Sequence, residues 1–261
     1  MGWTSNDDMI NQITNNGKVG NYIYQKTTVA AGLAGHWQHL LNSAGTPPAA
    51  TFGGAELTFT ATDNTWSEGA IQIPDQTLPA TKNLLNLGAG VVAAAGAPGF
   101  LLPIDLVGYV KLTTTNVTTT GAKVVTMTPI GSSGANVDRY PDGAGLRMFV
   151  ATMQITYANT AGTGGRVTTA GCVSTASATN GTVLNSGNAA NKYGPFLPLQ
   201  GNDTGVKDIE SLTWGGTAHA SGSVIIGLCK PLCQMIPVPA TGLYVPFDFG
   251  NTLPSFPRLR N

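Results

Sequence analysis

Apolar residues in this chain fall mostly into short runs that alternate with polar ones at every second position, the period of a half-buried strand. Tyr22 and Tyr24 alternate with Ile23 and Gln25, and residues 56–61 set Leu57 and Phe59 against Glu56, Thr58 and Thr60. Residues 66–73 read as another strand, closed by Pro74, and residues 36–41 as a shorter element. In residues 146–157, Met148, Val150, Thr152, Gln154 and Thr156 oppose Phe149, Ala151, Met153, Ile155 and Tyr157, which predicts one long central strand. Val206–Trp214 alternates again, and residues 223–229 and 232–238 supply the last apolar strands. TTTNVTTT at 113–120, Gly121 and KVVTMT at 123–128 predict a hairpin or strand pair with threonines on its wet face. AGTGG at 161–165 predicts a tight turn, and residues 45–49, 130–145 and 180–191 predict loops. Only residues 5–16 show helical spacing: Ser5 or Asn6 caps, Asp7 and Asp8 suit the positive end, and Met9, Ile10 and Ile13 share a side.

The most apolar run, residues 84–110, admits three readings. A membrane span needs about 20 consecutive apolar residues, but Asn86, Pro98, Pro103, Asp105 and several glycines break this one. Gly88, Gly90 and Ala93 spell the G-x-G-x-x-A of a dinucleotide-binding turn, yet Pro98 ends any following helix within about two turns. The favoured reading is a pair of buried strands joined by a turn at Pro98-Gly99, the second bent at Pro103. Many short strands, few helical segments and no long repeat predict an all-β, jelly-roll-like β-sandwich.

Composition narrows the function. The chain has 261 residues, 13 basic and 13 acidic, so no field draws it to nucleic acid or an anionic membrane. Charged residues are only 10% of it, against about 25% in ordinary soluble domains. A polar but uncharged surface keeps little repulsion against neighbours and suits a subunit packed in an assembly. The N-terminal MGWTSNDDMINQ has no basic start or apolar core of a secretory signal, which leads us to expect no export by that route, and Asn6 breaks the myristoylation pattern. Cys172, Cys229 and Cys233 are odd in number and read as small buried apolar residues.

No motif states a chemistry. His36 and His39 with Cys229 and Cys233 can be drawn as a zinc set, but H-x-x-H on a strand points its histidines to opposite faces. His219 has no G-x-S-x-G elbow to serve. Glu56, Glu68 and Glu210 are too few to favour a glycosidase pair. We therefore expect no enzyme activity, no cofactor and no metal.

The blocks KNLLNLG (82–88), PGFLLPIDLVGYV (98–110), AGLRMFVAT (144–152), NTAGTGGRV (159–167), YGPFLPLQGNDTGV (193–206) and LPSFPR (253–258) resemble the tailed-phage capsid-associated proteins called cement or decoration proteins. The resemblance runs from Lys82 to the C-terminus and implies a virion structural protein on the capsid surface, made in the host cytoplasm. It further implies a homotrimer that binds the major capsid protein and stabilises contacts between capsid subunits. The expected organisation is an N-terminal arm (1–18), a β-sandwich domain (19–245) and a C-terminal arm (246–261), whose three prolines deny it a place as a core strand. The candidate partner-binding residues lie on the arms: Met9, Ile10, Ile13, Phe247, Phe249, Phe256, Arg258 and Arg260. The alternative is a carbohydrate- or host-receptor-binding virion module, such as a head fibre or tail component, with Trp3, Trp37, Trp66 or Trp214 as the sugar platform.

Overall fold

The computed structural model describes residues 5, 7, 10–11, 20, 22–27, 36–62, 69–73, 82–83, 86–90, 99–113, 116, 119, 121–132, 140, 142–149, 153–168, 181–183, 194–214, 224–232, 236–238, 244–248 and 258–259. Every named element among them is a strand, and the chain is all-β. From the N-terminus these are β1 (Gln25–Lys26), β2 (Trp37–Gln38), β3 (Gly45–Thr46), β4 (Phe59–Ala61), β5 (Lys82–Asn83), β6 (Asn86–Gly90), β7 (Gly99–Leu101), β8 (Ile104–Leu112) and β9 (Gly121–Val124). The second half holds β10 (Arg147–Phe149), β11 (Met153–Asn159), β12 (Arg166–Val167), β13 (Thr182–Val183), β14 (Val206–Trp214), β15 (Val224–Pro231), β16 (Ile236–Val238), β17 (Tyr244–Asp248) and β18 (Arg258–Leu259).

Two four-stranded antiparallel sheets, ordered β10-β15-β8-β4 and β12-β11-β14-β9, form the body. One cluster of buried side chains joins them: Val110, Leu112, Met148, Ile226 and Leu228 from the first sheet meet Ile155, Tyr157, Val206, Ile209 and Leu212 from the second. Two sheets burying their inner faces against one another are the arrangement of a β-sandwich.

The long apolar run is explained by β8. Its partner β15 carries a register shift between Leu228 and Cys229, where Gly108 lies opposite Leu228 and Leu106 opposite Cys229, leaving Val107 as an extra residue. The bulge lets Val107, Val110 and Leu112 all join the main core, while Ile104 and Leu106 pack with Cys229 and Val183 in a second cluster. Tyr109, on that other face, is buried edge-on against Phe52 at 4.9 Å. Because both faces of the β8–β15 pair are covered, neither strand needs the polar positions of a half-wet strand. Gly108 is fixed by close packing, since a β-carbon there would lie 2.3 Å from the Phe59 ring and 2.6 Å from the Thr60 carbonyl oxygen of β4.

Several sequence expectations change. Residues 84–110 are not two adjacent strands, because β6 pairs with β17, β7 with β16 and β8 with β15. Gly88 and Gly90, which a phosphate turn would need in a bend, lie inside β6. The long strand predicted at 146–157 is two strands in different sheets, β10 beside β15 and β11 beside β14, and residues 150–152 lie outside the described residues. Of the hairpin or strand pair predicted across 113–128, β9 is a strand and lies beside β14, while residues 114–115, 117–118 and 120 lie outside the described residues. Val206–Trp214 has the predicted bounds but not a strict alternation: two register shifts against β11 give buried Val206, Ile209 and Leu212 a spacing of three. Leu57 has a positive φ of 56° just before β4 starts, and residues 69–73 are bends and irregular backbone rather than strand. Tyr140 and Ile130, expected in a surface loop, are buried.

The pairing is nested. Lys82 lies opposite Leu259, Gly90 opposite Tyr244, Gly99 opposite Val238, Ile104 opposite Pro231, Leu112 opposite Val224 and Val124 opposite Ser211. One antiparallel ribbon therefore runs from β5–β18 inward to β9–β14, its five pairs lying in five sheets, and it crosses from one body sheet to the other between β8–β15 and β9–β14. Ile130 N–H continues it with a 2.8 Å bond to the Lys207 carbonyl. Alongside β10, Leu197 N–H donates to the Met148 carbonyl at 2.8 Å. The described residues from Pro246 onward lie in β17 and β18, on β6 and β5 of the same chain: Pro246 sits opposite Gly88 in a two-stranded sheet, which tolerates the lost donor at its edge.

Candidate interaction surfaces

Of the predicted partner-binding residues, Ile10 is exposed, with helical backbone at Asp7, Ile10 and Asn11. Phe247 lies in β17 opposite Leu87, and Arg258 in β18 opposite Asn83. Met9, Ile13, Phe249, Phe256 and Arg260 lie outside the described residues. The largest exposed apolar side chains that sequence reasoning did not single out are Val124 at the end of β9, Ile23 before β1, and Phe100 in β7, 79%, 77% and 67% exposed. Each occupies a strand-like alternation, where period alone does not tell the inner face from the outer.

A polar clamp holds the 200–204 turn against the β11–β12 hairpin. Asp203 Oδ2 accepts from Tyr157 Oη at 2.7 Å and Arg166 Nε at 2.8 Å, and Oδ1 accepts from Asn159 Nδ2 at 2.9 Å. Gln200 completes it: its N–H donates to Tyr157 Oη at 2.8 Å, and its Oε1 accepts from Val167 N–H at 2.9 Å. Burial alone would push the Asp203 carboxyl up, but the bonds from Arg166, Asn159 and Tyr157 and the Arg166 charge outweigh it and bring its pKa down to about 2. Burial, then the Asp203 carboxylate, pushes the Tyr157 phenol up to about 12. Donors and acceptors here are spent on each other, so the cluster fixes a loop.

A second set lies where β8, β10 and β15 meet the 140–146 segment. Lys230 Nζ donates to the Ala144 carbonyl at 2.8 Å and sits 5.5 Å from the Tyr140 ring centre, while Tyr140 Oη donates to Asp105 Oδ2 at 3.0 Å. Arg147 binds the Thr204 carbonyl at 3.0 Å, tying this set to the turn that carries Asp203.

The third set involves the N-terminal segment. Lys26 Nζ donates to three backbone carbonyls, Pro47 at 2.7 Å, Ser43 at 3.0 Å and Pro48 at 3.1 Å, and lies 5.3 Å from the Tyr24 ring centre. Burial lowers the pKa of this ammonium, a cost that carbonyl donors and an aromatic face offset. Tyr24 Oη donates to the Gly69 carbonyl at 3.0 Å, and Thr27 N–H to the Ala44 carbonyl at 2.9 Å.

The drawn zinc set does not assemble among the described residues, where no group of three or more His, Cys, Asp or Glu side chains gathers. His39 is buried with its pKa pushed down to about 4 by desolvation, and its ring stands edge-on to Phe52 at 6.5 Å. Cys229 is fully buried, its thiol pushed up by burial and then by the Asp105 charge; Cys233 and Cys172 lie outside the described residues, as does His219. Glu56 accepts from Asn116 Nδ2, and Glu210 accepts from Gly165 N–H at 2.9 Å. Glu210 also borders a depression of about 300 Å³ with Lys207, Ser132 and Asp208, whose pKa is raised by burial and then by the Glu210 charge. Trp37, one of the four tryptophans of the sugar-platform reading, packs against the Val183–Cys229 cluster. Among the described residues no helix is long and apolar enough to cross a membrane.

Comparison with known protein families, with curated proteins and with solved structures finds no match for this chain.

Proposed function

We propose that the chain is a non-enzymatic virion structural protein, a capsid cement or decoration subunit of a tailed phage that stabilises contacts between major capsid proteins. The observation that carries this reading is the nested ribbon, which crosses from one body sheet to the other between β8–β15 and β9–β14. Folding such a ribbon over itself winds a jelly roll, an architecture that recurs in viral capsid and lectin domains. The step from winding to role is an analogy of fold. Physical features agree with it. Among the described residues five sheets have only two strands; β2–β13 packs on the body through Trp37 and Val183, and because a lone two-stranded ribbon is marginal in water, the others gain from a neighbour that covers them. Phe100 and Val124, both exposed, lie on β7 and on the sheet-edge strand β9. A chain with only 10% charged residues opposes such packing weakly.

The test is cosedimentation of the purified protein with empty capsids of its source, after light scattering has fixed its mass. A discrete oligomer, with a trimer expected, that sediments in fixed proportion to shells supports the reading. A protein that ignores shells at every concentration overturns it. The lectin branch of the same architecture makes a glycan-binding virion module the second reading, and a glycan array distinguishes the two.

A further inference from the structure

We propose that residues 22–27 form an exchangeable strap: the receptor built from residues 43–48 and Gly69 takes this segment from a second copy of the chain as well as from its own. The inference rests on the assembly reading for its setting and names the self-contact that reading leaves open.

The receptor is specific for this segment. It holds a primary ammonium at three convergent carbonyls, of Ser43, Pro47 and Pro48, and a phenol at the Gly69 carbonyl. It presents a backbone edge in register, with Gln25 opposite Thr46 and Lys26 opposite Gly45. The edge fits closely: Gly45 has a φ of +141°, and a β-carbon there would lie 2.0 Å from the Gln25 carbonyl oxygen, so only glycine lets the strap backbone seat.

Nothing in this recognition requires the two parts to belong to one chain. The hydrogen bonds between strap and receptor span 17 or more positions. The intervening residues 28–35, TVAAGLAG, carry no charge and no proline. The same bonds therefore form in cis or in trans, and concentration decides between them, the condition under which identical elements exchange between protomers. A shell holding many copies side by side raises the effective concentration of each strap near its neighbour's receptor. Tyr22 and Ile23, 46% and 77% exposed just before the strap, bring apolar area to the junction between the two bodies.

The experiment uses the full chain carrying Gln25→Cys and Thr46→Cys, two exposed positions that face each other across the β1–β3 ladder, as cross-strand pairs about 4.5–5.5 Å apart at Cβ do. Equal amounts of isotopically heavy and light protein are mixed over a range of concentrations, oxidised and digested, with each single-cysteine variant as control. Linked peptides joining position 25 to position 46 with one heavy and one light partner are expected, their share rising with concentration toward about one half at full exchange. Lys26→Ala lowers that share severalfold. Only heavy–heavy and light–light pairs at every concentration overturn the proposal, and so does failure of the 25–46 link to form. Capsids are absent from this mixture, so its outcome is independent of cosedimentation.

Discussion

Asp203 gathers three side-chain donors from β11 and β12 on its two oxygens. Its folded pKa of about 2 lies below the ordinary 3.8. A carboxyl with a depressed folded pKa adds stability that is fully present above about pH 4 and is lost as pH falls through 2. The wild-type melting temperature should therefore fall between pH 4 and pH 2 by more than that of Asp203→Asn. The variant should melt lower at pH 6 and converge on the wild type near pH 2. Parallel curves would remove Asp203 from the acid response. YGPFLPLQGNDTGV entered the sequence reading only as a block of the family resemblance: nothing in it tells that Asp203 meets Tyr157 and Arg166, which are 46 and 37 residues away. Long-range polar pairing leaves no periodicity to read. Cys229, by contrast, was legible as a small buried apolar residue because it follows directly on the VIIGL run of β15.

At the scale of elements, the bounds of β14 and the break at Pro103 between β7 and β8 were legible, since both are set by local composition. Bulges were not. One extra residue reverses the faces of everything beyond it, so the three-residue spacing of Val206, Ile209 and Leu212 read as alternation; at 146–157 the period of two runs on although β10 and β11 belong to different sheets. The fit of β4 on β8 depends on Gly108, whose missing side chain admits the Phe59 ring. Gly108→Ala should lower unfolding stability by about 1–3 kcal/mol, the usual cost of overpacking a core. Chemical denaturation with an unchanged m-value would measure it, and an unaltered midpoint would mean that β4 moves away freely.

For the whole molecule, stability is concentrated in the β8–β15 and β11–β14 pairs, which carry the shared core. The small ribbons β1–β3 and β2–β13 have two residues per strand. Hydrogen exchange should show amides at the centres of β8, β14 and β15 protected at least about a thousandfold more than those of β1 and β3, because local opening spans the range from near zero to the global free energy. Equal protection would mean that ribbons and body unfold as one unit. The all-β class was legible because almost every apolar run is short and bounded by glycine, proline or asparagine. The prolines of the C-terminal segment made it legible as unfit for a central strand, and its described residues lie in β17 and β18, each in a sheet of two.

The nested ribbon also sets an order in time. Lys82 leaves the ribosome well before its partner Leu259, so the outer strands of the first half wait for most of synthesis with their edges unsatisfied. Loop-closure entropy favours joining the innermost pair, β9 with β14, before β8 with β15 and then outward. A chain cut short after β15 would retain the inner closure yet leave β5, β6 and β7 without partners, three bare strands of the kind that seed aggregation.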